Sequence, residues 1–328
     1  MGEMLPRIRG APAASDAACR AFCVRLPYDL PNRYLDVAAP SSLAGFRLWS
    51  MYAAAAEDAA ADQAHEGDLV EASRALKVAA LYRLISSRQS GKPHASAEGR
   101  GAAAKDLAAA LRFEGTKLTI YEVSVGPWNV TGYLRTSCTT MRTPLVVMLP
   151  SAEASAELLY LLFADEFNRA GIACMCIDIA PRAGLQSTAI PEHYLRGGLV
   201  RRLLDVATST IDIATDGATV VDLSNTDLSA IARLAQDSRV SQWVSGNAVF
   251  PWSRPASASV AAPAIGVPHL SIHGECDHDH DLLLTLSRTS ASGTHSSPTR
   301  CDWTELSRRI SGWVLSSGAD AVLAAAGC

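Results

Sequence analysis

The stretch Val267-Pro-His-Leu-Ser-Ile-His-Gly-Glu-Cys-Asp277 decides the fold. Its first seven residues form a short, mainly apolar run, which predicts a buried β-strand ending at His273. Glycine and acidic residues follow, so Asp277 comes just after the strand. In open α/β sheets, ligands bind beyond the carboxyl ends of the strands. Asp277 is therefore a candidate site residue.

Similar strands precede this stretch and alternate with helical segments. Four more buried strands are predicted at residues 144–149, 172–178, 218–222 and 240–249, after an antiparallel hairpin of residues 117–125 and 129–134. Apolar periodicity predicts helices at residues 154–169, 191–213, 228–236 and 303–315. This alternation predicts an α/β fold with a mostly parallel, doubly wound sheet.

The first third of the chain has a different pattern. Residues 42–62, 68–88 and 97–113 are rich in alanine and repeat larger apolar side chains at helical spacing, which predicts three helices. We therefore predict two domains, a helical domain of residues 1–115 and an α/β domain of residues 116–328.

Composition and charge exclude several classes of partner. The chain has 328 residues, of which 48% are hydrophobic and 19% charged, so it can form substantial cores. The net charge is −4 and no run of Lys and Arg occurs, so neither nucleic acid nor a membrane surface is expected as a partner. No apolar stretch of about 18 residues and no signal-like start is present, so neither a membrane span nor secretion is expected.

The eight cysteines are read as reduced thiols. None forms a Cys-x-x-Cys motif, and Cys174 and Cys176 alternate along an apolar run, as buried strand thiols do. This pattern in a long chain without a signal sequence indicates a cytoplasmic protein.

Three polar residues occur in an order that suits nucleophilic catalysis. Ser224 follows the strand of residues 218–222 and precedes a helix, Asp277 follows a later strand, and His295 lies in a Ser- and Thr-rich loop before the last helix. A serine hydroxyl needs a base to take its proton, and that imidazole needs a carboxylate to orient it. The order serine, aspartate, histidine is that of a hydrolase triad built on an α/β sheet.

Three stretches carry a resemblance to a known family: Pro144-Leu-Val-Val-Met-Leu-Pro-Ser-Ala-Glu-Ala-Ser155, residues 167–184, and Val267–Asp277. Residues 116–316 resemble the α/β-hydrolase superfamily, in particular the branch with an amino-terminal helical cap. That branch includes fermentation–respiration switch esterases, fungal polyketide-shortening hydrolases and dihydropseudooxynicotine hydrolase. The resemblance implies that residues 1–115 form the cap.

The resemblance also implies roles for individual residues. Ser224 would attack a carbonyl, and the backbone N–H groups of Asn225 and of Ser151 or Ala152 would form the oxyanion hole. The expected substrate is a small molecule with an ester, or a carbon–carbon bond of a β-dicarbonyl or polyketide-like compound. Arg182, in the turn after a strand, is a candidate contact for an anionic substrate group.

Aromatic residues of the helical domain allow two interpretations. Trp49 and Tyr52 are candidate substrate contacts, but their spacing, with Tyr82, equally predicts the core of the cap helices.

The sequence departs from the family pattern at the nucleophile. The turn reads Asp222-Leu-Ser-Asn-Thr226, with no glycine at either flank, and the spacing from Asp277 to His295 is shorter than usual. At the usual spacing the sequence has Cys301 and Asp302. An alternative is therefore a degenerate hydrolase with a cyclase-like, non-hydrolytic or ligand-binding role.

The densest group of metal-ligating side chains follows the decisive strand. It comprises His273, Cys276, His278 and His280. Ligands alternating within one short loop do not match the usual zinc spacing, so no metal or other cofactor is predicted. A metal-dependent enzyme that uses residues 273–281, which also include Asp277, Asp279 and Asp281, is the weaker alternative. His278 or His280 is an alternative triad base. The expected partner is a small-molecule substrate, and a homodimer is an open option.

Overall fold

The chain forms two compact units, Met1–Gly115 and Thr116–Cys328. In this computed structural model the described residues are 43–89, 93–116, 118–125, 128–136, 143–149, 155–181, 201–202, 204–207, 209, 213–223, 237–247, 268–276, 282–290, 293–300 and 303–325. Each unit is described by itself below.

The first unit is helical. Its described helices are α1 Leu43–His65, α2 Leu69–Gln89 and α3 Pro93–Phe113. Gly67, with φ of 85°, ends the turn between α1 and α2, and Asp68 then accepts the backbone N–H of Glu71 at 3.1 Å. A positive φ favours glycine because other side chains clash there, so the turn is encoded locally. Successive helices pack through small buried residues, among them Ala53, Ala56, Ala72, Ala79 and Ala80.

The second unit is built on one sheet of nine strands. The strands are β1 Leu118–Val125, β2 Trp128–Arg135, β3 Thr143–Leu149, β4 Ala173–Pro181, β5 Ile213–Asp222, β6 Val240–Asn247, β7 His269–Cys276, β8 Leu282–Ser290 and β9 Gly293–Arg300. Their order across the sheet is β1-β2-β4-β3-β5-β6-β7-β8-β9. Strands β3 to β7 run parallel, whereas β1, β2, β8 and β9 pair antiparallel with their neighbours. The predicted α/β fold with a mostly parallel sheet is confirmed.

Helical segments cover both faces of this sheet. The Trp243 face carries Leu145, Val147, Val220 and Trp243, and it packs against Leu204 and Ala207 of the helical residues 204–207. The Gln242 face carries Val146, Met148, Thr219, Gln242 and Val244, and it packs against α4 Ala156–Leu159, α5 Asp165–Arg169 and α6 Trp303–Ala325. Gln242 Nε2 donates to the carbonyl of Val314 at 3.3 Å. Coverage on both faces explains why the central strands β3 and β4 are continuous apolar runs.

Four elements differ from the sequence prediction. Strand β5 begins at Ile213, where a helix was expected to end, because Thr143 of β3 pairs with it across a register shift. Between α4 and α5 the helix widens into a π-helical turn, Tyr160–Ala164. Strand β9 occupies residues that were expected to form a loop, and β8 lies in a segment for which no element was predicted. The predicted helix at 228–236 lies outside the described residues.

Within the described part of the chain, no helix is long and apolar enough to cross a membrane.

Candidate functional site

The carboxyl ends of the central strands meet at one edge of the sheet. Leu149 of β3 lies opposite Asp222 of β5, which lies opposite Ser245 of β6. In the next pair, Asn247 ends β6 opposite His273 of β7. The residues expected to form the site directly follow these strand ends. This edge is therefore where an open α/β sheet offers its ligand site.

Most of the predicted site residues lie outside the described residues. They are Ser151, Ala152, Arg182, Ser224, Asn225 and Asp277. The structure describes the residues that lead to them: Leu223, which is buried at 2% exposure, and Cys276, the last residue of β7. The strands that precede Ser224 and Asp277 run parallel, two strands apart, and leave the sheet on the same side, with β7 continuing to Cys276 beyond Ser271, which is level with Asp222.

The placement of His295 differs from the expected loop. It lies in β9 opposite Arg288 of β8, and Arg288 lies opposite Leu270 of β7. Cys276 is six residues further along β7, about 20 Å at the usual rise of a strand. The expectation of a loop was wrong because Gly293–Arg300 pairs with β8 along its whole length. This register places His295 level with Val221 of β5 but four strands away from it, and well short of the end of β7 that precedes Asp277.

The other end of β9 reaches the site edge. Arg300 lies opposite Leu283, and Leu282 lies opposite Cys276. Since β9 is antiparallel to β8, and β8 to β7, β9 runs parallel to β7. Cys301 and Asp302 are the next residues of the chain, so the position that follows β9 at this edge carries no histidine.

A polar pair between β6 and β7 was missed by the sequence analysis. Ser245 Oγ is 2.8 Å from His269 Nε2, and His269 is only 3% exposed. Asp222, on the other side of Ser245, is 1% exposed. The available signal was the occurrence of polar residues within otherwise apolar strands, since buried polar groups require hydrogen-bond partners.

A second polar cluster lies between β2, β4 and α4. The Tyr133 hydroxyl donates to Glu157 Oε1 at 3.2 Å, and the Arg135 guanidinium pairs with Asp165 and lies 5.9 Å from the centre of the Tyr160 ring. Burial raises the pKa of the Tyr160 phenol far above its ordinary value. These groups hold the helical residues 156–169 to strand β2 of the sheet.

The predicted burial of Cys174 and Cys176 is confirmed. Both are fully buried, and their Sγ atoms are 3.7 Å apart on β4. Burial raises the pKa of the Cys176 thiol, and the contact with Cys174 adds to this shift.

The aromatic residues of the helical unit pack together. The centre of the Trp49 ring lies 5.9 Å from the centre of the Tyr52 ring and 5.4 Å from that of Tyr82. The centres of the Tyr52 and Tyr82 rings are 5.8 Å apart. Trp49 is 5% exposed and Tyr82 is fully buried, which favours the core interpretation for both. Contact of Trp49 or Tyr52 with a substrate stays a prediction.

Among the described residues, no group of three or more His, Cys, Asp or Glu side chains is arranged to hold a metal ion. His278 and His280 lie outside that part of the chain, so the metal alternative at residues 273–281 is not tested by this result.

Comparison with known proteins identifies the fold. No protein family and no curated protein sequence matches the chain. Among solved structures, 2,6-dihydroxy-pseudo-oxynicotine hydrolase matches with a TM-score of 0.51 and 18% identity, over 69% of this chain and 63% of that one. AbyA5 matches with a TM-score of 0.38 and 16% identity, over 63% of this chain and 60% of that one. An S-formylglutathione hydrolase from Agrobacterium tumefaciens matches with a TM-score of 0.32 and 12% identity, over 40% of this chain and 57% of that one.

The chain therefore has the α/β-hydrolase fold, and the resemblance noted in the sequence is confirmed at the level of the fold. It spans less than two thirds of the length of the 2,6-dihydroxy-pseudo-oxynicotine hydrolase that it matches. A fold hosts many activities, so the function is argued from the site.

Proposed function

We propose that the protein is a serine hydrolase that cleaves an ester, or a carbon–carbon bond of a β-dicarbonyl or polyketide-like small molecule. The observation that carries the proposal is the common edge at which β5 and β7 end. Ser224 and Asp277 are the second and the first residue, respectively, after these strands. The same strands carry nucleophile and acid in the α/β-hydrolase arrangement that the sequence resembles.

The proposed reaction uses these residues in order. Ser224 Oγ attacks the carbonyl carbon as a histidine takes its proton, and Asp277 orients that histidine. The N–H groups of Asn225 and of Ser151 or Ala152 hold the oxyanion, and Arg182 binds an anionic substrate group. Trp49 and Tyr52 of the helical unit, in its proposed role as a cap, contact apolar parts of the substrate.

The first experiment tests the nucleophile. The full chain is treated with a serine-directed fluorophosphonate probe, with Ser224→Ala as the control. We expect stoichiometric labelling of the wild type, none of Ser224→Ala, and labelling of Asp277→Asn that is slower by about a hundredfold or more, since the carboxylate orients the base. A folded wild type that resists the probe would contradict the proposal.

A second experiment identifies the base. His295 is the base that chain order predicts, but its register in β9 favours testing His278 and His280 beside it. Labelling rates of His295→Ala, His278→Ala and His280→Ala are compared with the wild type. The base is the histidine whose removal slows labelling by about a hundredfold or more. If His295→Ala labels at the wild-type rate, His295 is not the base.

One observation favours a second candidate, a non-hydrolytic or ligand-binding role. The turn at Ser224 has no flanking glycine, and the chain after β9 has Cys301 and Asp302 where a base would be expected. A folded wild type that is not labelled, but whose melting temperature rises with a β-dicarbonyl ligand, would support this role.

The proposed setting is the cytoplasm, with a small-molecule substrate and no cofactor, nucleic acid or membrane as partner. Light scattering on the purified full chain distinguishes a monomer from a homodimer.

A further inference from the structure

Three polar side chains form a row across the parallel strands, close to the level at which β5 ends. Asp222 is the last residue of β5 and lies opposite Ser245 of β6. Ser245 Oγ is 2.8 Å from Nε2 of His269, the first residue of β7. Asp222 and His269 are almost fully buried. We call Asp222, Ser245 and His269 the Asp222 row.

The row interrupts an apolar surface. Register partners in a parallel sheet point to the same face, so the row shares the Trp243 face with Val220 and Trp243. On its other side Asp222 lies opposite Leu149, the last residue of β3. A buried carboxylate stays ionised only when hydrogen-bond donors face it. Ser245 is the hydroxyl residue that the register places beside Asp222.

Asp222 also lies at the start of the turn that carries the proposed nucleophile. Only Leu223, which is buried, separates it from Ser224. Aspartate side chains accept hydrogen bonds from the backbone N–H two residues further on. The turn has no flanking glycine, so a fixed carboxylate at Asp222 would hold it by hydrogen bonding.

We propose that His269 and Ser245 are positioning residues that hold the Asp222 carboxylate, and through it the turn that carries Ser224. This inference rests on the function proposed above. His269 donates its Nε2–H to Ser245 Oγ, and the Ser245 hydroxyl donates to the Asp222 carboxylate. In the turn that we propose, the Asp222 carboxylate would accept the backbone N–H of Ser224. In this proposal the imidazole of His269 and the hydroxyl of Ser245 each donate one hydrogen bond to the next residue of the row.

The opposite face of the same strands offers a matched control. Thr219 Oγ1 of β5 donates to Gln242 Oε1 of β6 at 2.8 Å, and both side chains are buried. Thr219→Val removes a buried hydrogen bond between neighbouring strands, as Ser245→Ala does. Thr219 lies three residues before the end of β5, on the Gln242 face.

The first test measures the rate at which the fluorophosphonate probe labels Ser224 in the full chain. We expect His269→Leu and Ser245→Ala to label about tenfold or more slowly than the wild type, because a small misplacement of a nucleophile costs rate. His269→Gln keeps an N–H donor and recovers most of the rate. Thr219→Val labels within about twofold of the wild type. Melting temperatures separate a positioning effect from lost stability.

Equal labelling rates for Ser245→Ala and Thr219→Val would overturn the positioning role. Ser245→Ala, the milder change, keeps this comparison valid even if His269→Leu fails to fold.

The second test needs no reactive serine. In the full chain with ¹⁵N-labelled histidine, the signal of His269 is identified by its loss in His269→Gln. We expect Nε2 to carry the hydrogen, and its chemical shift to change in Asp222→Asn and in Ser245→Ala. An Nε2 that carries no hydrogen, or a His269 chemical shift that is unchanged in Asp222→Asn, would overturn the proposed hydrogen bonds of the Asp222 row. An unlabelled wild type, by contrast, would contradict the proposed function.

Discussion

At the scale of single residues, burial controls chemistry most clearly at Cys174 and Cys176. Both thiols point from β4 into the layer between the sheet and α4, where they are fully buried. Burial raises the pKa of Cys176, and only the thiolate is strongly nucleophilic. Their closeness therefore reflects packing in the core.

We predict that these two thiols resist alkylation in the folded protein. At pH 8 in native buffer, the peptide that contains Cys174 and Cys176 should stay unmodified by iodoacetamide, whereas in guanidinium it should take up two labels. The measurement is peptide mass spectrometry after a timed quench. Native labelling at the rate of the unfolded chain would show that β4 opens readily.

At the scale of elements, helix α3 packs so closely on α2 at Gly99 that a larger residue there would meet α2. A Cβ built on Gly99 would lie 2.7 Å from the Cβ of Ser87 and 3.4 Å from the carbonyl oxygen of Arg83. A Cβ on Gly101, two residues further along α3, meets no atom within 4 Å. The same helix therefore contains a constrained and an unconstrained glycine.

We predict opposite effects of alanine at these two positions. Gly99→Ala should lower the free energy of unfolding by about 1–3 kcal/mol through overpacking. Gly101→Ala should raise it by up to about 1 kcal/mol, because alanine favours the helix. Urea unfolding of the full chain, followed by circular dichroism, measures both. Equal free energies of unfolding for the two variants would contradict the prediction that only Gly99 lies too close to α2 for a side chain.

The three helices of the first unit also share a buried charge cluster. Arg83 of α2 pairs with Glu57 of α1 and with Asp106 of α3, whose Oδ2 is 2.8 Å from Arg83 Nε. Burial raises the pKa of Asp106 to about 7, and the Glu57 carboxyl adds to the shift while Arg83 opposes it. One guanidinium thus faces two carboxyl groups, one of which favours its neutral form.

This cluster predicts that the helical unit is more stable in mild acid than in base. Folding raises the pKa of Asp106 from its ordinary value of 3.8, so the folded unit holds a proton that the unfolded chain releases. The stabilisation is fully present below pH 3.8 and is lost as the pH rises through about 7, with a total on the order of a few kcal/mol.

Hydrogen exchange of the full chain tests this pH dependence. Peptides from α1 to α3, corrected for intrinsic exchange rates, should be better protected at pH 5 than at pH 8. Asp106→Asn should remove most of the difference, whereas Asp62→Asn, at an exposed position of α1, should leave it in place. Equal protection of the wild type at both pH values would contradict the prediction.

Element by element, the sequence predicted what is encoded locally. Strands β3 and β4 were found because they are continuous apolar runs, and α1 and α2 because their stripes are regular. Strand β9, Gly-Thr-His-Ser-Ser-Pro-Thr-Arg, has neither signal, because it forms at the sheet margin by pairing with β8. Ser224 and Asp277 were predicted from topology and stay predictions, whereas the Ser245–His269 bond depends on register, which no local pattern encodes.

At the scale of the whole molecule, the proposed chemistry belongs to one of the two units. Each unit has a hydrophobic core of its own, with Ala60 and Leu76 in the first and Val147 and Trp243 in the second. The proposed nucleophile and acid follow strands of the second unit. Substrate selection, the role proposed for the helical unit, would therefore be separable from the bond-breaking step.

This separation predicts that residues 116–328 fold and react without residues 1–115. The shortened chain should melt cooperatively, because its sheet has helical segments packed on both faces within the unit. The fluorophosphonate probe should still label Ser224, and Ser224→Ala in the shortened chain should abolish the labelling. If a cap role for the first unit holds, discrimination between small and bulky esters should weaken. A shortened chain that melts cooperatively but is not labelled would show that the reactive serine requires the helical unit.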